Sequence, residues 1–151
     1  MRYSACVALA VVTLATIVTT TRVASADEKA ECSYLEIAAS TSKAPAVDPE
    51  LKPLEKKLKK APFASWNTFH KLSGGPVGLA KQKAEQLKLA QGAASVLMRD
   101  RSEKSINLTV TIDGSDGKRV LDNKQSMAAG DWSVWGHNVK DDGHILALTC
   151  K

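Results

Sequence analysis

Three histidines, three cysteines and three tryptophans are the side chains with the most chemistry to offer in this sequence. His70, His137 and His144 show neither His-x-x-x-His nor His-Glu-x-x-His spacing, the patterns that set two imidazoles round a zinc ion. His137 and His144 flank a turn signal and could approach one another, but histidines beside a turn are most simply polar surface. Metal binding through cysteine is equally unsupported, because no Cys-x-x-Cys or clustered Cys/His spacing occurs. No metal or cofactor is expected on these grounds.

Nucleophilic chemistry fares no better. A serine hydrolase would carry a Gly-x-Ser-x-Gly elbow, and none is present. Ser73-Gly74-Gly75-Pro76 reads as a loop, since it lacks the Gly-Lys-Ser/Thr ending of a phosphate cradle. Asp113-Gly114-Ser115-Asp116-Gly117 has some of the look of a calcium loop. It lacks the alternating ligands and terminal glutamate of an EF-hand, so it is better read as a hairpin turn.

The tryptophans are the better candidates for binding. In Trp132-Ser133-Val134-Trp135 the two indoles are three apart and would point to opposite faces of a regular strand. One can fill the core while the other sits outside. An exposed Trp66, Trp132 or Trp135 would stack on a sugar ring or anchor a protein partner, although core packing is the more common role.

The cysteines speak to compartment. Arg2, the stretch Cys6–Val18 made only of apolar residues and threonines, and the small residues Ala24-Ser25-Ala26 read as a secretory leader with cleavage after Ala26. Its apolar core falls short of the roughly 20 residues a membrane span requires. Cys6 precedes that core, so it is not a lipidation site. Cleavage leaves Cys32 and Cys150, an even pair in an exported chain, which is most simply one disulfide. Free thiols or pairing with another chain are the alternatives. Closing so long a loop would stabilise by roughly 4–5 kcal/mol in the chain-entropy model. Cleavage also removes Arg2 and Arg22, so 21 basic residues fall to 19 against 16 acidic ones, a net charge of +3. That excess supports neither a nucleic-acid binder nor a strongly cationic membrane-active peptide. The mature product is expected in the periplasm or cell exterior.

The elements that must position these residues are mostly strands. Ile106-Asn107-Leu108-Thr109-Val110-Thr111-Ile112 alternates without a fault, which predicts a half-buried strand with Ile106, Leu108, Val110 and Ile112 inward. Arg119-Val120-Leu121 returns as its partner after the Asp-Gly turn. Trp132–Asn138 and His144–Cys150 flank Asp141-Asp142-Gly143 as a second hairpin. Cys32 opens the first strand, in which Leu35 and Ile37 face inward. If the first and last strands lie antiparallel, the bridge clasps the two ends together. Asn107 heads an Asn-x-Thr glycosylation pattern, but inside the strongest predicted strand.

One short helix is expected near residues 50–60, where Leu51, Leu54 and Leu58 share a face and Lys52, Lys56, Lys59 and Lys60 take the other. The lysine face suits an acidic partner or anionic lipid, or simply solvent. Pro53 is placed in the first turn, and Pro62 stops the helix. Residues 80–91 have strong helical propensity but few apolar positions, so strand–turn–strand from Leu87 onward, with a strand over 93–99, is preferred. The whole reads as residues 27–151 in a single mainly β domain. The expected architecture is an antiparallel β-sandwich or open barrel with that one helix across it.

The segments Leu-Glu-Ile-Ala-Ala-Ser, Asp-Pro-Glu-Leu-Lys-Pro-Leu-Glu-Lys-Lys-Leu-Lys-Lys-Ala-Pro-Phe, Ala-Gly-Asp-Trp and Gly-His-Ile-Leu-Ala-Leu-Thr-Cys carry a resemblance. Together they resemble small secreted proteins of unassigned function encoded by myxobacteria and related delta-proteobacteria. The resemblance implies a Gram-negative exported protein, and brings no activity, ligand or catalytic residue. With no catalytic constellation in view, the expected function is a non-enzymatic binding or structural module, its partner a protein or a cell-surface glycan. A carbohydrate- or cell-wall-binding domain using the tryptophans is the first alternative. A small hydrolase whose polar residues meet only in three dimensions is the second.

Overall fold

The alternation of apolar and polar residues along most of the chain gives two facing sheets. The computed structural model describes residues 28–151, so the leader and its cleavage site lie outside the described residues. Strands β1 (Lys29–Ser40), β2 (Ala46–Val47), β3 (Thr68–Ala80), β8 (Trp132–Val139) and β9 (Asp142–Cys150) form a five-stranded sheet in the order β2-β3-β1-β9-β8. Strands β4 (Ala84–Leu87), β5 (Ala93–Arg101), β6 (Ser105–Asp113) and β7 (Arg119–Ala128) form a four-stranded sheet in chain order. Among the described residues, the named strands all pair antiparallel except β2 with β3, and one isolated parallel bridge joins Lys81 to Met98.

Two apolar clusters hold the layers together. Between the sheets, Tyr34, Leu146, Leu148 and Trp135 meet Val96, Met98, Leu108 and Val110. On the outer side of the five-stranded sheet, Ile37, Ala39, Phe69, Ile145 and Ala147 lie under Leu51, Leu54, Leu58 and Phe63. The central sheet is therefore covered on both faces over part of its length. This is why Gly143–Leu148 of β9 is a continuous buried run and not an alternating one.

The predicted helix is present but divided. Pro49–Leu54 is a 3₁₀ segment and only Glu55–Leu58 is α-helical. Pro53 belongs to the 3₁₀ segment, and the α turn begins after it at Glu55, so that its missing N–H takes no bond from the i→i−4 ladder. The expected face survives this change, for Leu51, Leu54 and Leu58 are all 0% exposed.

Residues 80–91 do not form a helix. Ala84–Leu87 pairs with Leu97–Ala94, and Leu87 is the one residue of β4 that enters the core. With so few apolar positions, pairing with β5 outweighs helical propensity. The turn into β5 needs Gly92, whose φ is +73° and where a Cβ would come within 2.3 Å of the Asp113 carbonyl oxygen. Ser73-Gly74-Gly75-Pro76, expected as a loop, instead lies inside β3. Among the described residues no strand borders the outer edge of β3 beyond Phe69, so Pro76 breaks no ladder there. Gly74 is required by closeness, since a Cβ would sit 2.7 Å from the Tyr34 carbonyl oxygen. Among the described residues, no helix is long and apolar enough to cross a membrane.

Candidate functional site

The alternation of β1 turns Cys32, Tyr34 and Glu36 toward the facing sheet, and carries a carboxylate into the interior. Glu36 is 0% exposed. It accepts hydrogen bonds from the Ala90 N–H at 2.6 Å, the Gln91 N–H at 2.8 Å, the Ser73 hydroxyl, and His144 Nε2 at 2.8 Å. Tyr34 donates its hydroxyl to the Lys88 carbonyl at 2.9 Å. The β4–β5 connection is thereby stitched to the five-stranded sheet from two directions. Burial pushes the Glu36 carboxyl up, but the donors from Ser73, Ala90, His144 and Gln91 outweigh it and hold it below the ordinary carboxylate range.

An ionised Glu36 only accepts, so His144 Nε2 carries the proton it shares with it. His144, which is 3% exposed, faces His137 directly across the β8–β9 hairpin. Their ring centroids are 5.1 Å apart with an interplanar angle of 74°. Burial, and secondarily the charge of His144, pushes His137 below the ordinary imidazole range. His137 Nδ1 is buried without a hydrogen-bond partner. Both rings line an open cavity of about 280 Å³, together with Gln91, Ser115, Asp116 and Asn138. The expectation that these two histidines are polar surface is corrected by the register. Cross-strand pairing carries His144 onto the buried face, where Glu36 awaits it.

Chemically, Glu36 and His144 form a base with an orienting carboxylate, two parts of a hydrolytic arrangement. The third part is missing. Among the described residues no hydroxyl hydrogen-bonds to either imidazole of the pair, and Cys32 and Cys150 are joined to each other. Nor do three or more His, Cys, Asp or Glu side chains converge to hold a metal ion, again among the described residues. His70 occupies the same cross-strand row, beyond Ala38, with its Nδ1 3.0 Å from the Asp48 carboxylate.

The structure does not gather the three tryptophans. Trp135 is 5% exposed between the sheets, with its Nε1 unpartnered. Trp132 is half-buried on the opposite face, and Trp66 packs there against Gly143, where a Cβ would come within 2.5 Å of the indole. Trp132 ends a row that crosses four strands, Pro76–Ser33–Thr149–Trp132, on the outer sheet face. The row runs from exposed Pro76 and Ser33 to the margin of the helical cover, against which Trp132 packs. Open depressions of about 510 and 360 Å³ flank this row, sharing Ser33 and Pro76 and rimmed by Glu31, Lys71 and Lys151. Cys32 and Cys150 are bonded as expected, directly opposite on β1 and β9 with Cα atoms 4.0 Å apart.

The buried cluster makes the fold acid-sensitive in a stated direction. Glu36 binds its proton more weakly in the fold than unfolded, so its contribution is complete above the ordinary carboxylate range. It is lost as pH falls through the lowered folded value. His137 also binds its proton more weakly when folded, so stability declines from about pH 6.5 downward and further below about pH 4. Urea midpoints taken from pH 7 to 3 should show both declines, and Glu36→Gln should flatten the lower one. A midpoint constant across that range contradicts this account.

No family model matches the chain, and no curated protein matches it in sequence. Among solved structures it is similar to the T2SS secretin XcpQ from Pseudomonas aeruginosa, seen by cryo-EM, at 11% identity and a TM-score of 0.30. That likeness covers 81% of this chain and 56% of the other, so the chain spans little more than half of that protein, and a likeness this low carries no functional argument.

Proposed function

We propose that this chain is an exported, non-enzymatic β-rich binding module that works through the open part of the outer face of its five-stranded sheet. The observation that carries the reading is the row Pro76–Ser33–Thr149–Trp132, where two apolar rings bracket two hydroxyls, with Pro76 and Ser33 exposed and Thr149 and Trp132 half-buried. Such a surface offers flat stacking and hydrogen bonding together, with Gly74 and Gly78 leaving room beside it. Export is supported by the Cys32–Cys150 disulfide, which persists in oxidising compartments such as the periplasm or cell exterior.

A glycan is the ligand class this row favours, because a pyranose presents an apolar face to an indole and hydroxyls to Ser33 and Thr149. The hydrolase reading is weaker, since among the described residues no hydroxyl or thiol hydrogen-bonds to the His144 ring, and Ser73 donates to the carboxylate instead. Cell-wall and surface oligosaccharides titrated into the isotope-labelled protein should move the Ser33, Thr149 and Trp132 indole resonances. Trp132→Ala should weaken binding about tenfold or more. A bound glycan or captured protein partner that leaves those resonances unmoved would sink the assignment.

A further inference from the structure

We propose that His137 and His144 form a site for a divalent copper ion at the mouth of the cavity between the β6–β7 and β8–β9 turns. The site is on the inner side of the sheet, away from the outer row, and is independent of that reading. Its geometry is the first argument. The two residues are register partners on adjacent strands, and their ring centroids are 5.1 Å apart. Two imidazoles bound to one ion through bonds of about 2.0 Å place their ring centres about 4.5 Å apart at a right angle and about 5 Å apart at the tetrahedral angle. A tetragonal ion therefore needs only a small closing of the two rings.

The second argument is the backing of His144. Its Nε2 is committed to Glu36 at 2.8 Å, which leaves the other ring nitrogen with its lone pair free. A buried carboxylate behind a histidine fixes the ring tautomer and orientation and raises the basicity of the ligating nitrogen. Glu36 is itself anchored by three further donors, so the orientation is built into the fold.

His137 supplies the third argument. Its Nδ1 is buried and makes no hydrogen bond among the described residues, although buried polar atoms nearly always do. An ion seated between the two rings would give this nitrogen the partner that the described residues do not. The cavity of about 280 Å³, with Ser115, Asp116 and Asn138 around it, has room for water to complete the coordination.

The ligand count selects the metal. A structural zinc site takes four protein ligands, and no third His, Cys, Asp or Glu converges here among the described residues. Copper(II) stands highest in affinity among the divalent first-row ions and suits imidazole nitrogen with water in a tetragonal shell. The step is simple ligand exchange: two water molecules leave the ion, two nitrogen lone pairs replace them, and no electron is transferred.

The test uses the intact, disulfide-bonded protein, stripped with a chelator and titrated with Cu²⁺ at pH 7.5. One ion per chain is expected, with an electron paramagnetic resonance signal split by two imidazole nitrogens and a raised thermal midpoint. His137→Asn should weaken binding by about tenfold or more, while His70→Ala, in the same strand row, should leave it unchanged. Fewer than two imidazole nitrogens in the wild-type signal would overturn the proposal even if His137→Asn fails to fold. Binding unaffected by His137→Asn, or lost in His70→Ala, would overturn it as well.

Discussion

Glu36→Ala is expected to destabilise the fold by about 3–5 kcal/mol, a large share of the roughly 5–15 kcal/mol that a domain of this size holds. The magnitude follows from what the substitution strands. Removing the carboxylate leaves the Ala90 and Gln91 N–H groups, the Ser73 hydroxyl and His144 Nε2 without their shared acceptor, in a place with no compensating water access at Glu36 itself. Each buried donor left unmade costs about 1–3 kcal/mol, and partial relaxation of the connection keeps the total below their sum. Glu36→Gln separates charge from shape. It preserves one acceptor oxygen but puts an amide N–H against other donors, so it should fall between wild type and Glu36→Ala. Urea denaturation gives the energies. Amide exchange should show Ala90 and Gln91 losing protection before the paired strands β5 and β6 do. A Glu36→Ala cost below about 1 kcal/mol would show that water serves these donors just as well, and the cluster would lose its structural role.

Much of the fold was legible because its signals are local. The faultless alternation of residues 106–112, the Asp-Gly turn that follows it and the three leucines of the helical cover all act over a few residues, and all reappear. The second hairpin turns at Lys140-Asp141, with Asp142 and Gly143 already paired in β9. The segments that misled are those where a neighbour decides. Residues 84–87 prefer a helix alone and become a strand because β5 offers an edge. The expected strand–turn–strand is therefore present, but its first strand ends at Leu87, where the sequence pattern places its start. Ser73–Pro76 has loop composition, yet β1 pairs with it along its length. Glu36 was hidden for a related reason. With Leu35 and Ile37 taken as the buried face, the glutamate between them is assigned to solvent by the rule of alternation. That rule fails where a sheet is covered on both sides, as β1 is by the four-stranded sheet and by Leu51, Leu54 and Leu58. A usable signal was nonetheless present. Once Cys32 is placed opposite Cys150, counting inward sets Ala38 opposite His144 and Glu36 opposite Leu146, which brings the carboxylate and the imidazole to one face.

That same register makes the disulfide the second change of large effect. Replacing both Cys32 and Cys150 with alanine is expected to cost about 2–5 kcal/mol. The bond joins residues 118 apart in sequence, so it removes much freedom from the unfolded chain. It also replaces two side chains that are 4% and 0% exposed within the inter-sheet core, so alanine leaves a small void besides. Burial of both sulfurs predicts slow reduction: under native conditions thiol labelling should track unfolding and not the reductant concentration. The mechanism can be read from a cycle with Glu36→Gln. Acting on the unfolded chain, the bond should give costs that add within about 0.5 kcal/mol. If it instead holds the β1–β9 register, its loss would weaken the Glu36–His144 contact directly, because a one-residue slip turns Glu36 to the outer face. Coupling well above about 0.5 kcal/mol would then appear. Additivity is the expected result, because eight consecutive β1–β9 register pairs, Cys32↔Cys150 through Ala39↔Gly143, hold the same alignment without the sulfur bond.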